Sequence, residues 1–451
     1  MKLAHWLAAA AASFWLGGAT TANADRAPDP SIKRFQLPNG LEVVVAPDPT
    51  VSSVVVHVWY RVGSKDEVPG KTGFAHLFEH LMFKGSRDVP DGKFDMLLES
   101  VGGWNNGTTN NDRTNYFEQV PGNQLELALY LEANRMAGLW DAMNQSVLDN
   151  QRDVVKNERR QSYENRPYGQ AGLDVQLALW PAGHGNHNLT IGTMADLTAA
   201  SLADVEAFWR QYYRPSNATL VLVGNVDAAN AETLVTKYFG WMPKQATPKT
   251  RTLDAPATPL AAPVTLTATD NVTEPKLSYT FRTDAPYTAA AADLEVLAQI
   301  LGGSKTSRLY KRLVMKERLA SDIGAGYGGQ VLGGEFEISA IAKGGVSVDK
   351  LRAALLEELA KVRTTPVTAD ELARAVTTLT ASLWQSQENL SARAADIAQW
   401  TVQTNDPAFA SKQIALWQAV TPASLQASAA KWLADTAAVS MTVMPRAKES
   451  K

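Results

Sequence analysis

Six histidines occur in the 451-residue sequence, and two are spaced to do chemistry together. His76 and His80 lie four apart in the stretch Gly73 to Phe83, whose apolar spacing predicts a helix, so both rings project from one face. Neutral imidazoles in that relation can grip one divalent ion, with Zn–N distances of about 2.0–2.1 Å. Glu79 shares that side, one residue before the second histidine. It can approach a water beside the ion without competing for the ion. The pattern His-x-x-Glu-His reverses the more familiar zinc helix. Its chemistry would be metal-assisted hydrolysis, with the glutamate as general base. Phe74, Leu77, Phe78, Leu81, Met82 and Phe83 bury the helix, and buried polar groups need partners, which an ion would supply. The bland alternative is an accidental match, expected roughly once in a few hundred such chains for so short a motif.

A catalytic zinc site takes three protein ligands and keeps one open position. The chain has no cysteine, so disulfides, thiolate sites and a cysteine nucleophile are excluded, and the third ligand must be His, Asp or Glu. A helix expected over residues 146–164 offers Glu158, on one face with Val147, Leu148, Gln151, Val154 and Val155. From position alone, a surface glutamate beside Arg159 and Arg160 explains Glu158 about as well. Among the other histidines, His5 falls in the N-terminal leader, His57 reads as a core residue, and His184 and His187 read as loop braces.

Around these residues the chain looks ordinary. Hydrophobic residues make up 45% and charged residues 20%, as in a globular protein, and a net charge of −3 argues against nucleic acid as a partner. Lys2, an apolar Leu3–Leu16 stretch and Ala22-Asn23-Ala24 read as a secretory signal peptide over 1–24, implying a periplasmic location and no stable membrane span after its removal. Strands are expected on both sides of Pro38-Asn39-Gly40, at Ser53–Tyr60 and at Thr114–Val120. Helices are expected at Phe94–Ser100 and Leu125–Leu139. A Pro-rich segment, 243–264, reads as a linker between an N-terminal domain (25–242) carrying the metal site and a C-terminal domain (265–451). The pattern then starts again: Lys276–Arg282 is a strand, Thr288–Leu301 an Ala-rich helix, and Gly302-Gly303-Ser304 falls where Lys84-Gly85-Ser86 fell. That alignment sets Leu294, Leu297 and Ala298 opposite His76, Glu79 and His80, a repeat without the chemistry. Gly324–Gly329 lies between strand-like runs with no helix after it, so it is a strand or hairpin and not a dinucleotide fingerprint. The fold class is therefore α+β, two homologous α/β-sandwich domains, each a mixed sheet flanked by helices.

The run His76-Leu77-Phe78-Glu79-His80-Leu81-Met82-Phe83-Lys84-Gly85 resembles the pitrilysin/insulysin family of inverted-motif zinc peptidases, which includes the mitochondrial processing peptidases, and the likeness spans nearly all of the mature chain. It implies one Zn2+ per chain on His76, His80 and Glu158, with Glu79 catalytic and the peptide bond as substrate, a hydrolase of EC 3.4.24 type. It implies a supporting position at 151, where this chain has Gln151 in place of a frequent glutamate. Gly102–Thr109 resembles the family's substrate-binding edge strand, which implies that Asn106, Gly107 and Thr109 meet the peptide. In the second half, Val314 and Ser321 stand where members active alone carry Arg and Tyr, with Tyr310 and Arg318 nearby out of register. The resemblance then implies a metalloendopeptidase subunit for unfolded peptides, heterodimeric with a related Arg/Tyr-bearing chain. The alternative is a zinc-holding peptide-binding or assembly subunit with little activity of its own.

Overall fold

The β-branched run at Val54 forms a strand buried along nearly its whole length, and a sheet grows on both sides of it. In a computed structural model that describes residues 32–252 and 257–447, strands β1 (Lys33–Gln36), β2 (Glu42–Pro47), β3 (Ser53–Tyr60), β4 (Trp104–Thr109), β5 (Thr114–Pro121) and β6 (Ala218–Gly224) run in the order β1-β2-β6-β3-β5-β4. The expected leader, 1–24, lies outside the described residues. A second sheet holds β7 (Val264–Asp270), β8 (Lys276–Thr283), β9 (Ala320–Gly328), β10 (Gly334–Ala342) and β11 (Ala438–Pro445), ordered β7-β11-β8-β10-β9. Removing β1 makes the two orders identical. β6 pairs parallel to β2 and β11 parallel to β7, and every other pairing is antiparallel. The repeat expected from sequence is thus present in the topology. Leu294, Leu297 and Ala298 are buried in the second core, on the helix Ala289–Leu301.

In the first half, α1 (Phe74–Leu81) follows β3, and α2 (Lys93–Ser100), α3 (Leu125–Ala142), α4 (Gln145–Arg159) and α5 (Gly169–Leu179) follow in turn. The helix expected over 146–164 ends as α-helix at Arg159 and closes in a π-type turn, Arg160–Glu164. Its buried face is narrower than expected: Leu148, Gln151 and Val155 are buried, whereas Val154 is exposed. Gly324–Gly329 falls mainly in β9, an edge strand.

The halves exchange helices. Val44, Ala46, Val55, Trp59, Val221 and Val223, on the face of the first sheet away from α1, pack against Ala394, Ile397, Ala398 and Trp400 of the helix Leu390–Thr404. Reciprocally, Ala171, Val175 and Leu179 of α5 pack on Val439, Met441 and Val443 of β11. Polar ties reinforce the joint: the Asp112 carboxylate accepts from the Val331 backbone N–H at 3.0 Å, and Arg393 meets Asp48 at 2.8 Å. No helix among the described residues is long and apolar enough to cross a membrane.

Candidate metal centre

The sequence of α1 buries Phe74, Ala75, Leu77, Phe78 and Leu81 and leaves His76, Glu79 and His80 on the opposite, partly open side. The helix has only two turns and no side-chain cap of its own at Gly73. Glu67 takes that part: one carboxylate oxygen accepts from Gly73 N at 2.9 Å and the other from Ala75 N at 2.8 Å. Glu67 is only 3% exposed, and burial raises its pKa well above the carboxylate range while the two backbone N–H groups oppose the shift. Sequence reasoning missed this residue, because a lone glutamate in a polar loop has no periodic signal.

Packing of α4 against α1 brings the third donor into place. His76 Nε2 and His80 Nε2 lie 3.4 Å apart, and Glu158 Oε2 lies 3.6 Å from the first and 3.2 Å from the second. Donors about 2.0–2.1 Å from a tetrahedral ion stand about 3.3 Å from one another, so this trio matches three corners of a tetrahedron. Burial pushes His76 down to about 4, which keeps its imidazole neutral, as a ligand must be. The hydrogen bond with His80 is the main cause holding Glu158 below the usual carboxylate value. The donor set therefore fits zinc. Gln151 is buried near the middle of α4, and its amide donates to Asn150 at 2.8 Å; no hydrogen bond among the described residues joins it to the three donors.

Glu79 stands beside the trio. Burial raises its pKa, and a 2.6 Å hydrogen bond donated by Thr109 Oγ1 opposes that rise. Thr109 ends β4, so the edge strand touches the carboxylate directly. Gly107 completes the contact: a Cβ there would lie 3.2 Å from Glu79 Cγ and 3.1 Å from the Tyr116 ring. Asn106 is exposed on the same strand, and its side-chain oxygen accepts from Gly107 N at 2.9 Å. Among the described residues β4 pairs only with β5, so no strand covers its other edge. Arg113, also missed from sequence, donates to the Thr108 carbonyl at 2.7 Å and adds positive charge near Glu79; burial pushes it down to about 10.

The other histidines among the described residues do not join. His57 is fully buried, hydrogen-bonded to Asn115 at 2.8 Å and pushed down to about 3 by burial. His184 stacks on Trp180, and His187 Nδ1 lies 2.7 Å from the Trp180 carbonyl oxygen, so both brace their loop. Val314 packs against the second core, and Ser321 Oγ donates to the Ile341 carbonyl.

Fold and site together define a two-half α/β protein with an inverted-motif His/His/Glu donor set found, among the described residues, in its first half alone. Residues 42–176 match the family described as insulinase (peptidase family M16), and residues 199–379 match the peptidase M16 inactive domain. The chain belongs to the M16 family of metallopeptidases. It is 31% identical to the zinc protease PqqE of Helicobacter pylori over 302 residues, 65% of this chain and 66% of that one. It is 26% identical to the uncharacterized zinc protease YmxG of Bacillus subtilis, over 80% and 86% of the two chains. The crystal structure of a protease from Helicobacter pylori superposes with a TM-score of 0.85 at 27% identity, covering 92% of this chain and 99% of that one.

Proposed function

We propose that this chain is the metal-bearing subunit of a zinc endopeptidase that hydrolyses extended peptides. The observation that carries the reading is the donor triangle of 3.2–3.6 Å formed by His76, His80 and Glu158 beside an uncoordinated Glu79. Zinc held there would supply Lewis-acid polarisation of water and of the peptide carbonyl. The free edge of β4 adds the substrate as an extra strand, with the backbone at Asn106 and Gly107 pairing to it and the Asn106 amide reaching along it. Glu79 takes a proton from the attacking water and passes it to the leaving amine. Thr109 aims that carboxylate, and the wall around Glu79 keeps it partly out of bulk water. Peptide recognition through main-chain groups favours unfolded segments and tolerates varied side chains.

Val314 and Ser321 leave the second half without the Arg/Tyr pair of self-sufficient members, so the active form is a heterodimer with a related chain that supplies it. The pattern of the first 24 residues supports export to the periplasm. The test compares wild type, Glu79→Gln and Glu158→Gln for zinc content and peptide cleavage, each with and without the partner and a chelator. Glu79→Gln should keep one zinc and lose turnover by about 100-fold or more, whereas Glu158→Gln should lose the metal. Full turnover by Glu79→Gln would remove the reading. Zinc binding without cleavage, in the presence of the partner, would favour a peptide-binding subunit.

A further inference from the structure

At the base of the first half, a cavity of about 260 Å³ opens between the C-terminal part of α3, the end of the helix Leu202–Tyr212 and the start of the coil after Met242. Its walls are chemically one-sided. Trp241 supplies open aromatic surface, Trp209 lines the wall while already stacked on Trp140 and covered by the Arg210 guanidinium, Arg87, Arg210 and Arg214 supply positive charge, and no acidic residue among the described residues lines it. Two of the arginines are committed elsewhere: Arg87 to Asp141 at 2.6 Å, and Arg210 to Glu206 at 2.6 Å. Arg214 is not. Its Nη1 donates to the Ala246 carbonyl at 3.2 Å, and no carboxylate among the described residues ion-pairs with it. Trp241 is 58% exposed, the highest value among the large aromatic side chains of the described residues.

A partly buried guanidinium without a counter-ion is unfavourable, and an indole open to water forfeits hydrophobic stabilisation. One ligand would answer both: an anion carried on a flat apolar body. We propose that this cavity binds a small aromatic carboxylate, its carboxyl group on Arg214 and its ring against the open indole of Trp241. Guanidinium matches a carboxylate in shape as well as charge, and indole faces prefer an aromatic neighbour. Tyr213 links the cavity to the metal helix, because its ring also packs on Phe78 with centroids 4.5 Å apart. The proposal does not depend on the peptidase reading.

The test is calorimetric titration of the purified full-length chain with indole-3-acetate, indole-3-acetamide and acetate. The acid should bind saturably. The amide, which keeps the shape and loses the charge, and acetate, which keeps the charge and loses the ring, should each bind about tenfold or more weakly, as the loss of a charged hydrogen bond or of ring burial requires. Arg214→Gln should weaken the acid by a similar factor, with Arg214→Lys intermediate, and Glu79→Gln should bind it as wild type does. Equal binding of acid and amide, undiminished binding by Arg214→Gln, or no saturable binding up to about 10 mM, the weak end of specific affinity, would each overturn the proposal. The acid–amide comparison needs no variant, so a folding defect in Arg214→Gln would not shelter it.

Discussion

Substituting Gly192 by Ala should weaken zinc binding although residue 192 touches none of the proposed ligands. Gly192 sits where the two helices carrying the proposed ligands are braced. Its carbonyl accepts from Arg159 Nη1 at 2.6 Å, and Arg159 follows Glu158 on α4. On its other side it presses on Gly73, the residue that opens α1: a Cβ at 192 would lie 2.7 Å from Gly73 Cα and 2.6 Å from the Thr72 carbonyl oxygen. Reaching ordinary contact requires the two segments to part by about 0.7 Å. The backbone at 192 also has φ +75°, which costs a non-glycine residue about 1 kcal/mol. Parting α1 from α4 moves His76 and His80 relative to Glu158, while metal sites hold their ligands to within about 0.2 Å. Zinc affinity should therefore fall about 10–100-fold, the range seen when supports of metal ligands are lost. The assay is competition for zinc against a chromophoric chelator. Gly345→Ala is the control, since it has φ +79° and nothing within 4 Å of a Cβ, and so suffers only the backbone cost. If Gly192→Ala holds zinc as tightly as Gly345→Ala does, the bracing argument is wrong.

Three other outcomes are expected. Thr109→Val removes the hydroxyl that donates to Glu79 at 2.6 Å and should lower kcat about tenfold with zinc content and KM little changed; an unchanged kcat would show that the hydroxyl does not aim the base. Residues 25–242 produced alone should bind a hydrophobic dye or aggregate, because Val55, Trp59, Val221 and Val223 lose the cover of Ile397 and Trp400. Co-production with 243–451 should restore a well-behaved complex, and a stable, dye-free N-terminal half would contradict the helix exchange. Burial, with the neighbouring Glu337 adding, raises Glu335 to about 7. Between the ordinary glutamate value and 7, the folded state thus holds more protons than the unfolded state, and stability falls as pH rises through that window. Glu335→Gln should be more stable than wild type at pH 8 by on the order of 3 kcal/mol, with the gap closing near pH 4, as melting curves across pH would reveal.

Much of the site was legible before folding because it lies within one short helix. His76, Glu79 and His80 share a face by helical periodicity alone, and periodicity is a local property that sequence spacing records. The strands at Val54 and Thr114 and the restarted pattern after residue 264 were legible for the same reason. The end of α4 at Arg159 was not, since the π-type turn that follows keeps a helical spacing of residue types. Nor was Glu67, whose role depends on a loop bending back onto the first turn of α1.

The sequence by itself determined the pairing of His76 and His80 with Glu79 on one helix face, the exclusion of cysteine as a donor, and the absence of equivalents at Leu294, Leu297 and Ala298. Only the tertiary structure decided that Glu158 meets the two imidazoles, that Thr109 reaches Glu79, and that each half covers the other's sheet with a helix. Glu158 lies 78 residues beyond His80, and no periodicity reaches that far. What joins them is the burial of Leu148 and Val155 against the first core, a contact that exists only once the chain has closed on itself.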